Sequence, residues 1–590
     1  MNKKELATVA LLILLIPVWL FIDTRFVKPF FPDPPAPLPT ATPALPEAVP
    51  TGSPALVAAP ESPESPEAPL PPVEVPNLAV EAQTLVLSNA LVSLRVSNMG
   101  AGVEEAVLSA FPESLTDPSP VRMDFVGSPA LVYDVPGLNR AAAFQMEAID
   151  ERSVRFTREL PGGLRFTRVL SLAADSYVVT VTDAWQNPGA TELPLASLPI
   201  WVGQMLPRPE VSQKFGPFLG IDARHSGRGV KHYVKAITKG VGKTDGLWEE
   251  TIGQPLDWFG VKNKFFTQVL TVGKSDWPGA EALLMRARKG EGDARIGMVQ
   301  AATRLGASVI PPERTLERSY TYYVGPISMD NLRALGLEQE EIIDFRLWPF
   351  FVPVGKLLMR GLTGLYSVTG NWGVAILLLT FIVRMLFWPL TQKGTDNMKR
   401  MSQYGPQMKE LREKYKNNPQ KLNVEMAAFY KEHKINPMAG CLPMFVQIPV
   451  FIALYGTLRV AVELRFAEFL WIRDLSEQEA LFFVAGFPVN ILPLTMGATM
   501  IWQQRLTPGT MDEQQRKIMM MMPVVFLFIS YNMPAGLLLY WTASNLISIY
   551  QSWHTKKREA KRLAANPAPA PVAAPSALTK KSPSKGGKKR

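Results

Sequence analysis

Within the apolar run of residues 373–388 stands one charge, Arg384. A guanidinium stays protonated in proteins, and placing one at the centre of a membrane helix costs about 2.5–3.5 kcal/mol on insertion scales, so it normally faces protein or water. In a wet cavity it could hold a carboxylate or backbone carbonyls of a visiting molecule. The plainer alternative is a side chain that snorkels to the headgroups; the nearer end of its span is about 9 Å away, a marginal reach. Thr380, Gln447, Thr495, Thr499, Thr542, Ser544 and Asn545 add uncharged polar groups to other apolar stretches. Singly, such groups are usually helix–helix glue; together with one arginine they could wet a cavity. No acidic residue falls in these stretches, which argues against a proton relay or carboxylate-ligated ion coupling.

Covalent chemistry has no support. The chain lacks a G-x-S-x-G elbow, a P-loop lysine and an H-E-x-x-H helix. Its single cysteine, Cys441, excludes an internal disulfide, and four scattered histidines (His225, His232, His433, His554) make no metal motif. We expect no enzyme, no cofactor and no metal.

The elements that must position Arg384 divide the chain sharply. At 590 residues and 47% hydrophobic, it exceeds one folding unit, and its apolar residues are bunched. Residues 1–28 hold an apolar run, 6–22, longer than a signal-peptide core and without a small-residue cleavage site, so a membrane anchor is preferred to a signal peptide. Residues 29–76 contain 17 prolines, which makes a tether. Residues 77–328 alternate apolar and polar in short runs, and Pro161-Gly162-Gly163 reads as a hairpin turn, so an extracytoplasmic all-β sandwich is expected. Residues 329–370 carry a stretch, 345–366, with Arg346, Lys356, Arg360 and two prolines, read as an amphipathic helix in the interface.

Residues 371–553 supply five spans, at 372–390, 438–458, 485–502, 518–533 and 535–552, six with the anchor. The last two cannot be one helix, because 35 residues would reach about 52 Å across a core of about 30 Å. Asn532-Met533-Pro534-Ala535-Gly536 supplies the turn. Residues 391–435 hold ten Lys/Arg and five acidic residues; Asn417-Asn418-Pro419 splits them into a helical hairpin, either a solvated arm or a docking element. The tail, 554–590, holds eleven Lys/Arg against Glu559. With six spans, hairpin, tail and both termini face the cytoplasm, as the positive-inside bias requires. Met519–Met522 is a soft apolar run that suits varied partners or simply lipid.

Gly370-Asn371-Trp372-Gly373, Phe381-Ile382-Val383-Arg384, the stretch Asn436 to Pro443, Gln447-Ile448-Pro449-Val450-Phe451 and Pro534-Ala535-Gly536-Leu537 closely resemble the YidC-type membrane protein insertase family. Asn98-Met99-Gly100-Ala101-Gly102-Val103-Glu104 is the best match in the β region. The resemblance implies a polytopic α-helical inner-membrane protein with a five-span insertase core and a periplasmic β-supersandwich. It implies a hydrophilic groove closed to the outside, with Arg384 inside, Thr380 one turn before it, Gln447 and Phe451 facing it, and the aromatic pair Tyr540-Trp541 on the last span. Trp541 departs from the more familiar Tyr and lacks its hydroxyl. The implied partners are nascent membrane proteins, lipids, the Sec translocon, and the ribosome through the hairpin and tail. The rivals are a transporter or channel for an anionic solute, which would show matched repeats, and a tethered carbohydrate enzyme. A loosely tethered β region also suggests that insertion survives its removal.

Overall fold

The computed structural model describes residues 81–209, 211, 218–244, 246–272, 279–290, 295–345, 351–433, 435, 442–484, 487–506 and 513–565. The first apolar run, the Pro-rich stretch, the motif at 436–441 and the tail beyond residue 565 lie outside the described residues.

Alternation builds the first half. Strand Val178–Gln186 buries every second residue, Val179, Val181, Asp183 and Trp185, because successive side chains in a strand point to opposite faces. It pairs antiparallel with Arg165–Leu172 on one side and Thr315–Pro326 on the other, inside a sheet of thirteen strands. A second, four-stranded sheet comprises Thr84–Ser88, Val92–Ser97, Gly102–Pro112 and Pro120–Asp124. Both sheets drain into one hydrophobic core. The expected hairpin is present, with Ser153–Glu159 and Arg165–Leu172 joined by a short 3-10 turn at Pro161–Gly163. The Gly100-Ala101-Gly102 turn also has a local cause: Gly100 has φ +76°, and a Cβ on Gly102 would lie 2.6 Å from the Ala130 carbonyl oxygen.

Eight helices form the second half among the described residues: α1 (Val352–Thr369), α2 (Trp372–Gln403), α3 (Gly405–Lys414), α4 (Pro419–Glu432), α5 (Leu442–Val460), α6 (Ile491–Leu506), α7 (Glu513–Ser530) and α8 (Ala535–Ala565). Gly370, at φ +65°, ends α1, and the Asn371 side chain accepts from Val374 N to begin α2. Tyr366 and Trp372 stack at 4.0 Å across that corner. Asn418 caps α4 by accepting from Lys421 N, with Pro419 at its first position, so the Asn-Asn-Pro break does what its residue types dictate. Met408 of α3 and Met426 of α4 are buried in the hairpin seam, where Tyr404 meets Phe429 edge-on.

Three boundaries differ from expectation. Helix α2 does not stop at Leu390 but runs through Pro389 to Gln403, so the first arm of the hairpin begins as its extension. The span expected at 485–502 begins as a helix only at Ile491, because Phe482–Val484 and Phe487–Val489 pair as a β-hairpin. Apolar content alone does not separate such a hairpin from helix. The turn between α7 and α8 is confined to residues 531–534, with Gly536 already helical. Among the described residues, α2 is the one helix both long and apolar enough to cross a membrane by length and composition; shorter apolar stretches occur at Gln447–Val460 and Met520–Ser530.

The link between the spans expected at 438–458 and 485–502 is folded over its described residues. Val462–Leu464 makes a 3-10 turn, Phe469 pairs with Ile472, and the β-hairpin follows. One side of this cap meets the β half and the other meets the ends of α6 and α8.

Candidate functional site

Arg384 projects from α2 toward α8. Its Nε donates to the Ser544 hydroxyl at 2.7 Å, and Nη2 donates to the same oxygen. Among the described residues no carboxylate pairs with it. Thus the guanidinium lies against a neutral partner on a neighbouring helix rather than along its own helix toward an end.

The other expected residues fall into two groups. Gln447 on α5 donates from Nε2 to the Tyr540 hydroxyl on α8, and Tyr540 sits one turn before Ser544, close enough to interact with it. A polar row therefore crosses three helices: Gln447, Tyr540, Ser544, Arg384. Beside it, the Trp541 ring lies between Phe451 of α5 at 4.6 Å and Phe526 of α7 at 5.1 Å. Its edge geometry with Phe526 is the favoured one for aromatic pairs. Tryptophan fills this slot with the bulk of its ring. Thr380 is apart from the row: it is fully buried, and its hydroxyl donates to the Ile376 carbonyl of its own helix at 2.7 Å.

Two further groups extend the polar strip. Asn545 Nδ2 donates to Thr499 Oγ1 on α6 at 3.2 Å, and the Ser548 hydroxyl donates to the Ser544 carbonyl. Ser544 was visible in sequence only as one polar residue among seven. Its spacing of four from Tyr540, which places both on one helix face, was the available signal.

The outer faces contrast with this interior. Phe381, Ile382 and Leu386 of α2, and Met520, Met521, Val524, Phe528 and Ile529 of α7, are exposed. Inward polar groups and outward apolar ones are the pattern of helices in lipid around a wet interior.

One end of α6 and α8 is covered by the cap. The first amides of a helix have no partner within it. Ala535 N and Gly536 N of α8 donate to the carbonyls of Glu477 and Leu475, at 2.8 and 2.9 Å. Leu492 N of α6 donates to the Glu479 carboxylate at 2.7 Å, which also places negative charge at a helix N-terminus. Asn490 donates to the Tyr531 carbonyl, and the Tyr531 hydroxyl to that of Pro488.

Comparison with known proteins covers both halves. The YidC periplasmic domain family matches residues 84–354, and the 60 kDa inner membrane protein family matches residues 364–562. A membrane protein insertase YidC of Geobacter sp. (strain M21) is 34% identical over 411 residues, 69% of this chain and 70% of that protein. One of Syntrophus aciditrophicus (strain SB) is 32% identical over 453 residues, 76% of this chain and 75% of the relative. A crystal structure of an active YidC insertase with its first transmembrane domain resolved overlaps 80% of this chain and 92% of its own, at 16% identity and a TM-score of 0.35, too loose a superposition to add to the assignment.

Proposed function

The chain belongs to the YidC family of membrane protein insertases, inner-membrane proteins with a periplasmic domain, and from that premise we propose how its residues carry insertion. The insertase core is multi-pass: α2, α5, α6, α7 and α8 are its spans, and the run at residues 6–22 is the sixth. Both termini and the α3–α4 hairpin face the cytoplasm, and α1 lies in the interface. The polar row of Gln447, Tyr540, Ser544 and Arg384 lines a groove open to cytoplasm and lipid. Phe451 and Trp541 form its apolar wall, and Thr380 packs behind Arg384.

The observation that carries this reading is Arg384 held by a hydroxyl with no described carboxylate beside it. A charge so placed keeps most of its capacity to attract an anion in a setting of low dielectric. A short polar segment of a nascent membrane protein enters the groove without meeting hydrocarbon. Its acidic side chains or backbone carbonyls displace the Ser544 contact and bind the guanidinium. Its apolar part then partitions into lipid, at about 25 cal/mol per Å² of surface removed from water. No covalent step is needed. Nascent membrane proteins are the substrates; the α3–α4 hairpin and the basic tail meet the ribosome, and the Sec translocon is a working partner.

Photocrosslinkers at positions 447, 541 and 380, with a ribosome-bound nascent membrane protein, test this. Crosslinks from 447 and 541, and weaker ones from buried 380, are expected. Adducts with lipid or small solutes alone would overturn the insertase reading in favour of the anionic-solute transporter.

A further inference from the structure

The β half does not hang free of the helices. Its contact with them centres on Lys264, in the turn between strands Leu256–Lys262 and Phe266–Val272. The Asn263 side chain fixes that turn by accepting from Phe265 N and Phe266 N. Lys264 is almost wholly buried; its ammonium donates to the Ser476 carbonyl at 3.1 Å and the Glu477 carboxylate at 2.5 Å. It also lies over the Phe265 ring at 4.6 Å. A second cation ties the cap from the other direction: Arg465 donates to the carbonyls of Pro112 and Glu113 in the β half, at 2.6 and 2.9 Å.

Lys264 grips residues 476 and 477, the middle of the segment that caps two helices. Immediately before and within it are the carbonyls of Leu475 and Glu477 that receive the first amides of α8. Two residues on is Glu479, which receives Leu492 N of α6. Gly536 adds a steric reason for a close fit, since a Cβ there would lie 2.9 Å from the Leu475 oxygen. Helix α8 carries Tyr540, Trp541 and Ser544 within its first three turns. A helix is stiff over that length, so its seat at the N-terminus sets where those side chains meet Arg384 and Gln447.

We propose that the β half is a clamp: Lys264 holds the segment 475–479 against the outer ends of α6 and α8, and is thereby a positioning residue for the groove. The proposal rests on the insertase reading above for its effect on insertion, though not for the clamp itself. It also opposes the expectation that insertion survives removal of the β half largely intact. Taking the buried lysine away removes the ammonium in contact with the Glu477 carboxylate, so that Arg459, which also acts on that carboxylate, must balance it at a junction largely closed to water, an unfavourable state for the junction as built. The segment then moves toward solvent, and the helix amides lose their acceptors.

The test uses the full-length protein in proteoliposomes and reads two quantities: amide hydrogen exchange and the rate of insertion of a single-span substrate. Lys264→Met keeps the stem and removes the charge. Exchange at Ala535, Gly536 and Leu492 should rise about tenfold, as expected when a local opening becomes easier, and insertion should slow about threefold. Strand Val178–Gln186 should keep its protection, and Lys264→Arg should restore both quantities. Should Lys264→Met lose protection in that strand as well, Glu477→Gln carries the same test, because the Glu477 carbonyl still reaches Ala535 N while the charge pair is gone. Unchanged exchange in the folded variant overturns the clamp. Faster exchange with insertion untouched overturns its role in positioning. Wild-type protein that inserts nothing would count against the insertase reading, while the exchange data still judge the clamp.

Discussion

Two arginines, one in each half, have opposite surroundings. Arg168, in the β half, is fully buried; Nε and Nη2 fork onto the Asp183 carboxylate at 2.7 Å each, and Nη1 reaches the carbonyls of Ala101 and Leu131. Tyr133 donates to the same carboxylate at 2.6 Å, and the guanidinium lies over the Tyr133 and Phe166 rings. The two partners face one another in register across adjacent strands. Arg384 has the Ser544 hydroxyl. One charge is neutralised by its own chain; the other meets a neutral hydroxyl and, in the function proposed above, is kept for a visitor. An interior arginine is therefore read by its partners, not by its burial.

Breaking the sealed site should have the largest effect on stability. Asp183→Asn removes the counter-charge of a buried guanidinium, and losing one partner of such a pair costs about 3–5 kcal/mol. Denaturant unfolding followed by the fluorescence of nearby Trp185 should show that loss, with exchange in α2 unaltered. A change below about 1 kcal/mol would put Arg168 in the same class as Arg384 and collapse the contrast.

A titrating group at the junction gives the next effect. Burial, with Asp330 nearby, pushes the Glu463 carboxyl up to about 7, and its Oε2 has no hydrogen-bond partner among the described residues. A folded pKa above the unfolded value means that the fold favours the protonated acid. Stability is highest below about pH 4.5 and falls as pH rises through 7, by at most about 3 kcal/mol. Thermal unfolding of the junction at pH 5 and pH 8 should show the fall, and Glu463→Gln should flatten it. A junction that strengthens with rising pH has the sign wrong.

Ser544→Ala sharpens the comparison at the open site. Polar contacts between membrane helices average about 0.6 kcal/mol, so stability should hardly move. Insertion of acidic substrates should fall by less than on loss of the arginine itself, because the charge remains while its placement loosens. A stability loss above about 2 kcal/mol would make Ser544 a structural partner like Asp183.

The tail should matter least to insertion. Truncation after Ala565 spares α8 and removes six Lys/Arg. Binding to ribosomes or anionic vesicles should weaken at low salt, and the difference should shrink at high salt, as for any polyelectrolyte contact. Salt-independent binding unaffected by truncation would exclude the electrostatic account.

What could be read in advance follows the range of each interaction. Strand alternation, the Asn418-Pro419 break and the turn before α8 are local, and the residue types announce them. Arg384 was visible because a charge interrupts an apolar run. The β-hairpin at Phe482–Val489 was not, since its apolar residues serve helix or strand equally. Lys264 and Glu477 were invisible for another reason. They lie 213 positions apart, each among polar loop residues, and their pairing exists only once both halves are folded. Sequence pattern reports which faces are buried; it carries little about which loop charges meet.

The most direct measurement of the central claim compares Arg384→Ala with wild type at matched expression, on one acidic-tailed and one neutral-tailed single-span substrate. If Arg384 is held for a visiting anion, the acidic tail should lose most of its insertion while the neutral tail keeps it, and Arg384→Lys should retain much of the activity for both. Equal insertion of the acidic-tailed substrate by wild type and Arg384→Ala would contradict the claim.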